Sequence, residues 1–188
     1  MITELANYQD RLDDLRGQIA GLIAGLSAEA LNWRPLPGTG DHATNSLAAL
    51  AAHTAGAEHF WISEVIGGRP ATRDREAELA TLAASAAEIV RLLEDTERET
   101  RGVLLTLKDP DLKDTRQTAG RTLAVRWCLL HVIDHTSLHL GHMQITIQLW
   151  AGGKSIPSPL WYDRLPHHPE DEQRSTHGLA DSPGDETL

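Results

Sequence analysis

The chain of 188 residues has a single cysteine, Cys128. No intrachain disulfide is available, and nothing points to an oxidising compartment. Aromatic residues make up only 4%, which leaves Leu, Ala, Val and Ile to fill any core. Ala and Leu are among the strongest helix formers, so a core built from them argues for helices. Basic charge is also short: 17 Lys and Arg stand against 27 Asp and Glu, for a formal net charge of -10. Such a chain repels phosphate backbones and anionic bilayers, which argues against nucleic-acid and membrane partners. No apolar run approaches the ~20 residues of a membrane span. The opening Met1-Ile2-Thr3-Glu4-Leu5 leads into mixed charges instead of an apolar signal core. The expected location is therefore the cytoplasm, and the length suits one domain.

What is present is helical periodicity. Leu5, Leu12, Leu15, Ile19, Leu22, Ile23 and Leu26 predict a first helix over about 3–26. Pro35, Pro37, Gly38 and Gly40 break the pattern after Trp33-Arg34-Pro35. Asn45 is a candidate N-cap for a second helix that reaches Ile66 and stops at Gly67-Gly68. A third is expected from between Arg73 and Leu79 to about Leu107, and a fourth from about Thr122 to Trp150, closed by Gly152-Gly153. No stretch alternates with period two over a useful length, so no sheet is expected. The prediction is an all-α four-helix bundle over about 1–155. Its first connection, 27–44, is long enough for a crossover and holds a short helical turn near 27–31. The segment 156–188 is Pro-rich and acidic. It is expected to dock in part through Trp161 and Tyr162 and otherwise to be disordered.

The informative feature is His131-Val132-Ile133-Asp134-His135-Thr136-Ser137-Leu138-His139-Leu140-Gly141-His142. On a helix, His135, His139 and His142 lie at about 40°, 80° and 20° from His131, and Cys128 at about 60°. One narrow face carries them all. Two histidines at i and i+4 can share one metal ion. Ten histidines in this length yield roughly half such a pair by chance, so the spacing alone is weak. Four in twelve residues on one face is either a site or a solvated side. A third ligand has to come from a neighbouring helix. His53 qualifies, because it interrupts the otherwise apolar stripe Leu47, Leu50, Ala57, Trp61. By itself it also reads as a core histidine bonded to a hydroxyl or carbonyl. His59 is expected on an outer face.

These residues resemble the DinB superfamily of metal-binding four-helix bundles, the DinB/YfiT type. The resemblance covers about residues 1–152. Its marks are Trp33-Arg34-Pro35, Asn45-Ser46-Leu47, His53 with Glu58 and Trp61 behind it, and His131, His135 and His139 followed by Leu140-Gly141. It implies that His53, His135 and His139 bind one divalent ion. His142 stands where the family often has Gln. His131, His142, Glu58 and Cys128 are then pocket residues or groups behind the ligands, with Glu58 available to bond the free N–H of a ligand histidine and reading equally as a plain surface acid. Cys128 also reads as a plain packed thiol.

Three imidazoles with an open position suit zinc, with nickel or iron(II) as alternatives. The resemblance further implies transfer of a low-molecular-weight thiol to an electrophilic small molecule. Mycothiol is favoured, since Arg outnumbers Lys as in GC-rich bacterial genomes. A metal-dependent hydrolase and a non-catalytic dimeric helical protein are the alternatives, and a homodimer is compatible with the Ala-rich helices. A ferritin-like di-iron site is disfavoured, because the fourth helix has no glutamate.

Overall fold

The computed structural model describes residues 3–36 and 44–154. The expectations for residues 156–188, Trp161 and Tyr162 among them, lie outside the described residues. Four long helices form the frame: α1 (Glu4–Ile23), α3 (Leu47–Glu58, continued as a π-helical segment His59–Ile66), α5 (Ala86–Leu104) and α6 (Val125–Trp150). Two short helices, α2 (Ala28–Asn32) and α4 (Arg75–Leu79), lie in the connections.

Local chemistry sets the helix starts. The Thr3 hydroxyl accepts from Ala6 N at 3.1 Å, and the Asp109 carboxylate accepts from Glu4 N and Leu5 N, each at 3.1 Å. The free N–H groups of the first turn of α1 thus find acceptors, one of them more than a hundred residues away. Ser27 caps α2, and Ser46, one residue beyond the expected Asn45, caps α3. The third helix begins later than the periodicity predicts, at Ala86. The reason is tertiary: Asn32 Oδ1 accepts from Ala83 N and Asn32 Nδ2 donates to Ala83 O, both at 2.9 Å. That pairing uses the backbone groups a helix would need and separates α4 from α5.

Helices α1 and α3 lie diagonally across the bundle, each packed on both α5 and α6. The expected first crossover carries α2. A second diagonal connection, from α5 to α6, holds a 3₁₀ turn (Asp109–Lys113) and an antiparallel hairpin, β1 (Thr115–Thr118) with β2 (Arg121–Ala124). The hairpin corrects the expectation of no sheet. Thr118 pairs with Arg121, so the loop is Ala119-Gly120. Both loop residues have positive φ, 47° and 72°, as a type I′ turn demands. Alanine is an unusual occupant there, and strands of four residues are too short to show a period.

The core has two lobes. One gathers Leu15, Ile19, Leu47, Ala51, Ile89, Met143 and Ile147. The other gathers Leu12, Ile62, Val103, Leu112, Cys128 and Val132. Polar side chains are also buried in the frame: Arg16, Thr54, Glu58, Thr96, Thr100 and Thr136. Arg16 pairs with both Glu58 and Asp13, and the Thr100 hydroxyl donates to Glu58 Oε1 at 2.5 Å. Burial pushes the Glu58 carboxyl up, against the pull of Arg16. Such a pair is stabilising only while both partners are present.

Candidate metal centre

Helices α3 and α6 run side by side in opposite directions. Trp61 of the π-helical segment meets Trp127 near the start of α6, with ring centroids 5.4 Å apart. At the other end, Leu50 shares a cavity with Ile145 and Leu149. Midway, His53 faces His135 and His139. The three ring centroids lie 4.9, 5.0 and 4.5 Å from one another. One ligating atom from each falls within 4.8 Å of the other two. His53 is buried, and the two α6 rings are half-buried.

The approach is close where it matters. His53 Nε2 and His135 Nε2 are 3.2 Å apart. A tetrahedral ion with metal–nitrogen bonds of about 2.0–2.1 Å places neighbouring nitrogens about 3.3 Å apart. His139 turns Nδ1 towards His142 Nδ1 at 3.4 Å, which leaves Nε2 as its remaining donor. Burial pushes the His135 imidazole down to about 3, helped by His139, His53, His131 and Arg73. Burial likewise pushes His139 down to about 4, with His53, His142 and Arg75 adding to it. Both rings are therefore neutral near pH 7, the form that ligates. The donor set fits a divalent ion of the zinc type.

The ring of His53 is oriented by a residue the sequence did not single out. Its Nδ1–H donates to Glu78 Oε2 at 2.8 Å, which fixes the tautomer with Nε2 free. Glu78 is in turn held by Arg73, whose Nε and Nη2 donate to its two oxygens at 2.8 and 3.0 Å. Backbone N–H groups of Thr72 and Arg73 donate to Glu64 Oε1 at 2.6 and 2.9 Å. Burial opposes ionisation of Glu64, but these bonds win and hold its carboxyl below the usual range. The chain of contacts Glu64, Arg73, Glu78, His53 thus ties α4 to α3. Gly56 makes this possible. A Cβ there would sit on the Glu78 carboxylate, with Glu78 Cγ at 2.9 Å. The only sequence signal for Glu78 is that small residue one turn after His53.

The other named residues separate. His131 stacks on Trp127 at 4.9 Å with an interplanar angle of 5°, and meets the edge of Trp61 at 5.0 Å. It forms an aromatic wall on one side of the cluster, and His142 flanks the other. Glu58 does not reach a ligand histidine, which corrects its expected role. Its carboxylate is turned to Arg16 and Thr100. Cys128 is fully buried in the second core lobe, and burial raises its thiol above the ordinary range. It packs as a core residue of that lobe. His59 is half-buried, with Nδ1 at 2.6 Å from Glu99 and Nε2 at 2.9 Å from Thr72. It is a bridge between elements instead of an outer-face residue.

No helix among the described residues is long and apolar enough to cross a membrane. No curated protein matches the chain. Among solved structures, it is similar to a DinB-like protein from Bacillus cereus, with a TM-score of 0.66 at 18% identity over 84% of this chain and 99% of that one. A conserved protein from Enterococcus faecalis superposes with a TM-score of 0.64 at 19% identity, over 81% of this chain and 99% of that one. A DinB-like protein from Bacillus subtilis gives 0.55 at 14% identity, over 82% and 94%. At these identities the likeness speaks for the fold alone. The family model of the DinB superfamily matches residues 11–143, most of the chain. The chain belongs to the DinB superfamily.

Proposed function

We propose that this protein is a metal-dependent transferase that joins a low-molecular-weight thiol, with mycothiol as the favoured one, to an electrophilic small molecule. His53, His135 and His139 would hold the ion. The observation that supports this reading is the 3.2 Å approach of two Nε2 atoms within a set of three imidazoles, two of them kept neutral by burial. When bound, such an ion lowers the pKa of a thiol or water, so that a nucleophile is available near neutral pH. The protein's own contribution is geometry. Glu78 and Arg73 hold the His53 ring and its tautomer. The i,i+4 spacing on α6 holds His135 and His139 on one face. Trp61, Trp127 and His131 give the cluster an aromatic flank on one side.

Three histidines leave at least one position open, which suits catalysis and not a closed structural site. The test is metal analysis of purified protein beside His53→Ala and His135→Ala, followed by conjugation of mycothiol to monochlorobimane. One ion per chain, lost in both variants, together with metal-dependent conjugation, is the expected result. Stoichiometric metal that survives both substitutions overturns the ligand set. A metal-loaded protein that conjugates no cellular thiol but hydrolyses an ester or amide replaces the transferase with the hydrolase.

A further inference from the structure

Further along the α3–α6 pair, beyond the histidines, the bundle holds a cavity of about 680 Å³. His142, beside His139, is among its lining residues. That volume is in the range of small-molecule sites. Its walls are apolar: Leu50 from α3, Ile145 and Leu149 from α6, and Trp33 and Leu36 from the crossover. Leu36, Ile145 and Leu149 are 61%, 59% and 52% exposed, so much apolar surface here faces solvent. No Asp, Glu, Lys or Arg lines the cavity among the described residues. The polar wall residues are mostly committed. Thr44 Oγ1 accepts from Leu36 N at 2.9 Å, and Thr146 Oγ1 donates to the His142 carbonyl at 2.9 Å. Among the described lining residues, that leaves the Asn45 amide and the His142 ring to meet a ligand.

We propose that this cavity binds an uncharged, predominantly apolar small molecule, with a single polar end at Asn45 or His142 next to the histidine cluster. A charged group entering it would lose hydration and find no counter-charge among the described lining residues. An apolar body would remove the exposed Leu36, Ile145 and Leu149 surface from water together with its own. The ligand's role as the electrophilic co-substrate rests on the transferase reading. Its binding does not.

The test uses the full chain stripped of metal with a chelator, so that binding is read without turnover. The neutral fluorophore N-phenyl-1-naphthylamine is titrated in, then displaced by n-alkanols from butanol to octanol and by the matching alkyl carboxylates. Saturable binding is expected. Each added methylene should tighten displacement about 4-fold, corresponding to ~0.8 kcal/mol per buried CH₂. Carboxylates should be weaker by at least about 10-fold. Ile145→Glu and Leu149→Glu place a charge at exposed positions that leave the fold intact by circular dichroism, and each should weaken the probe by about 10-fold or more. His53→Ala should bind the probe like the wild type, so a failed metal assignment leaves this result standing. The proposal is overturned by absence of saturable binding, by carboxylates that bind as well as alkanols, or by probe binding indifferent to both glutamate substitutions.

Discussion

Replacing Glu78 by Gln tests whether the centre is organised from behind its ligands. The substitution keeps the size and an acceptor oxygen but removes the charge that His53 Nδ1–H and Arg73 both meet, at 2.8 Å in each case. Charge-assisted bonds are roughly twice as strong as neutral ones, and loss of such a partner typically costs about 10- to 100-fold in metal affinity. That corresponds to about 1.4–2.7 kcal/mol. The assay is competition for zinc against a chromophoric chelator. Glu58→Gln is the control. Glu58 lies on the same helix as His53 and is more deeply buried than Glu78, but its carboxylate bonds Arg16 and Thr100 and no ligand histidine. It should lose about 3 kcal/mol in urea unfolding, as a broken buried ion pair does, while zinc affinity stays within about 2-fold. Glu78 does not orient the site if Glu78→Gln binds zinc within about 2-fold of wild type. The same conclusion follows if the Glu58 variant shows the larger loss of affinity.

Three further outcomes follow from the same geometry. Gly56→Ala should weaken zinc binding by about 10-fold without altering any ligand, because its Cβ displaces Glu78 from His53. Retention of full affinity in the same chelator competition would show that Glu78 can relocate. In metal-free protein, burial holds the His135 and His139 imidazoles down to about 3 and about 4, whereas the same side chains in the unfolded chain take up protons near the ordinary histidine value of about 6.5. The unfolded state therefore binds more protons below pH 6.5, and stability should fall as the pH drops from there towards 4. A loss of about 2 kcal/mol by about pH 5, after discounting for the partial exposure of both rings, is expected in urea titrations and should disappear in His135→Ala/His139→Ala. A flat profile in wild type would contradict the neutral-ring picture. Ala119→Asn should stabilise the fold by about 0.5–1 kcal/mol, since Ala119 has a φ of 47° and Asn tolerates that region better. An unchanged or lower Tm would mean that the hairpin loop carries no such strain.

The helices were legible because their causes are local. The spacing of Leu12, Leu15 and Ile19 marks the buried side of α1. The 100° step per residue puts His135 and His139 on one face whatever surrounds them. The hairpin and the break before α5 have causes that are not local, or not typical. The hairpin turns on Ala119, which periodicity does not flag, and the break before α5 depends on Asn32, 51 positions away from its partner Ala83.

For the site, the sequence by itself placed a histidine stripe on α6 and one histidine on an apolar stripe of α3. What only the tertiary structure decided is which acid stands behind His53. Glu58 is five residues along the same helix, about 500° of rotation and so about 140° from His53. That angle turns it away, to Arg16. Glu78 arrives from α4, through a contact between helices that permits the bond only because Gly56 has no side chain. The ligand rings are set by periodicity within a helix. Their orientation, their neutrality and the cavity beside His142 depend on burial and on approach between elements, and neither is written in the spacing of residues along one chain.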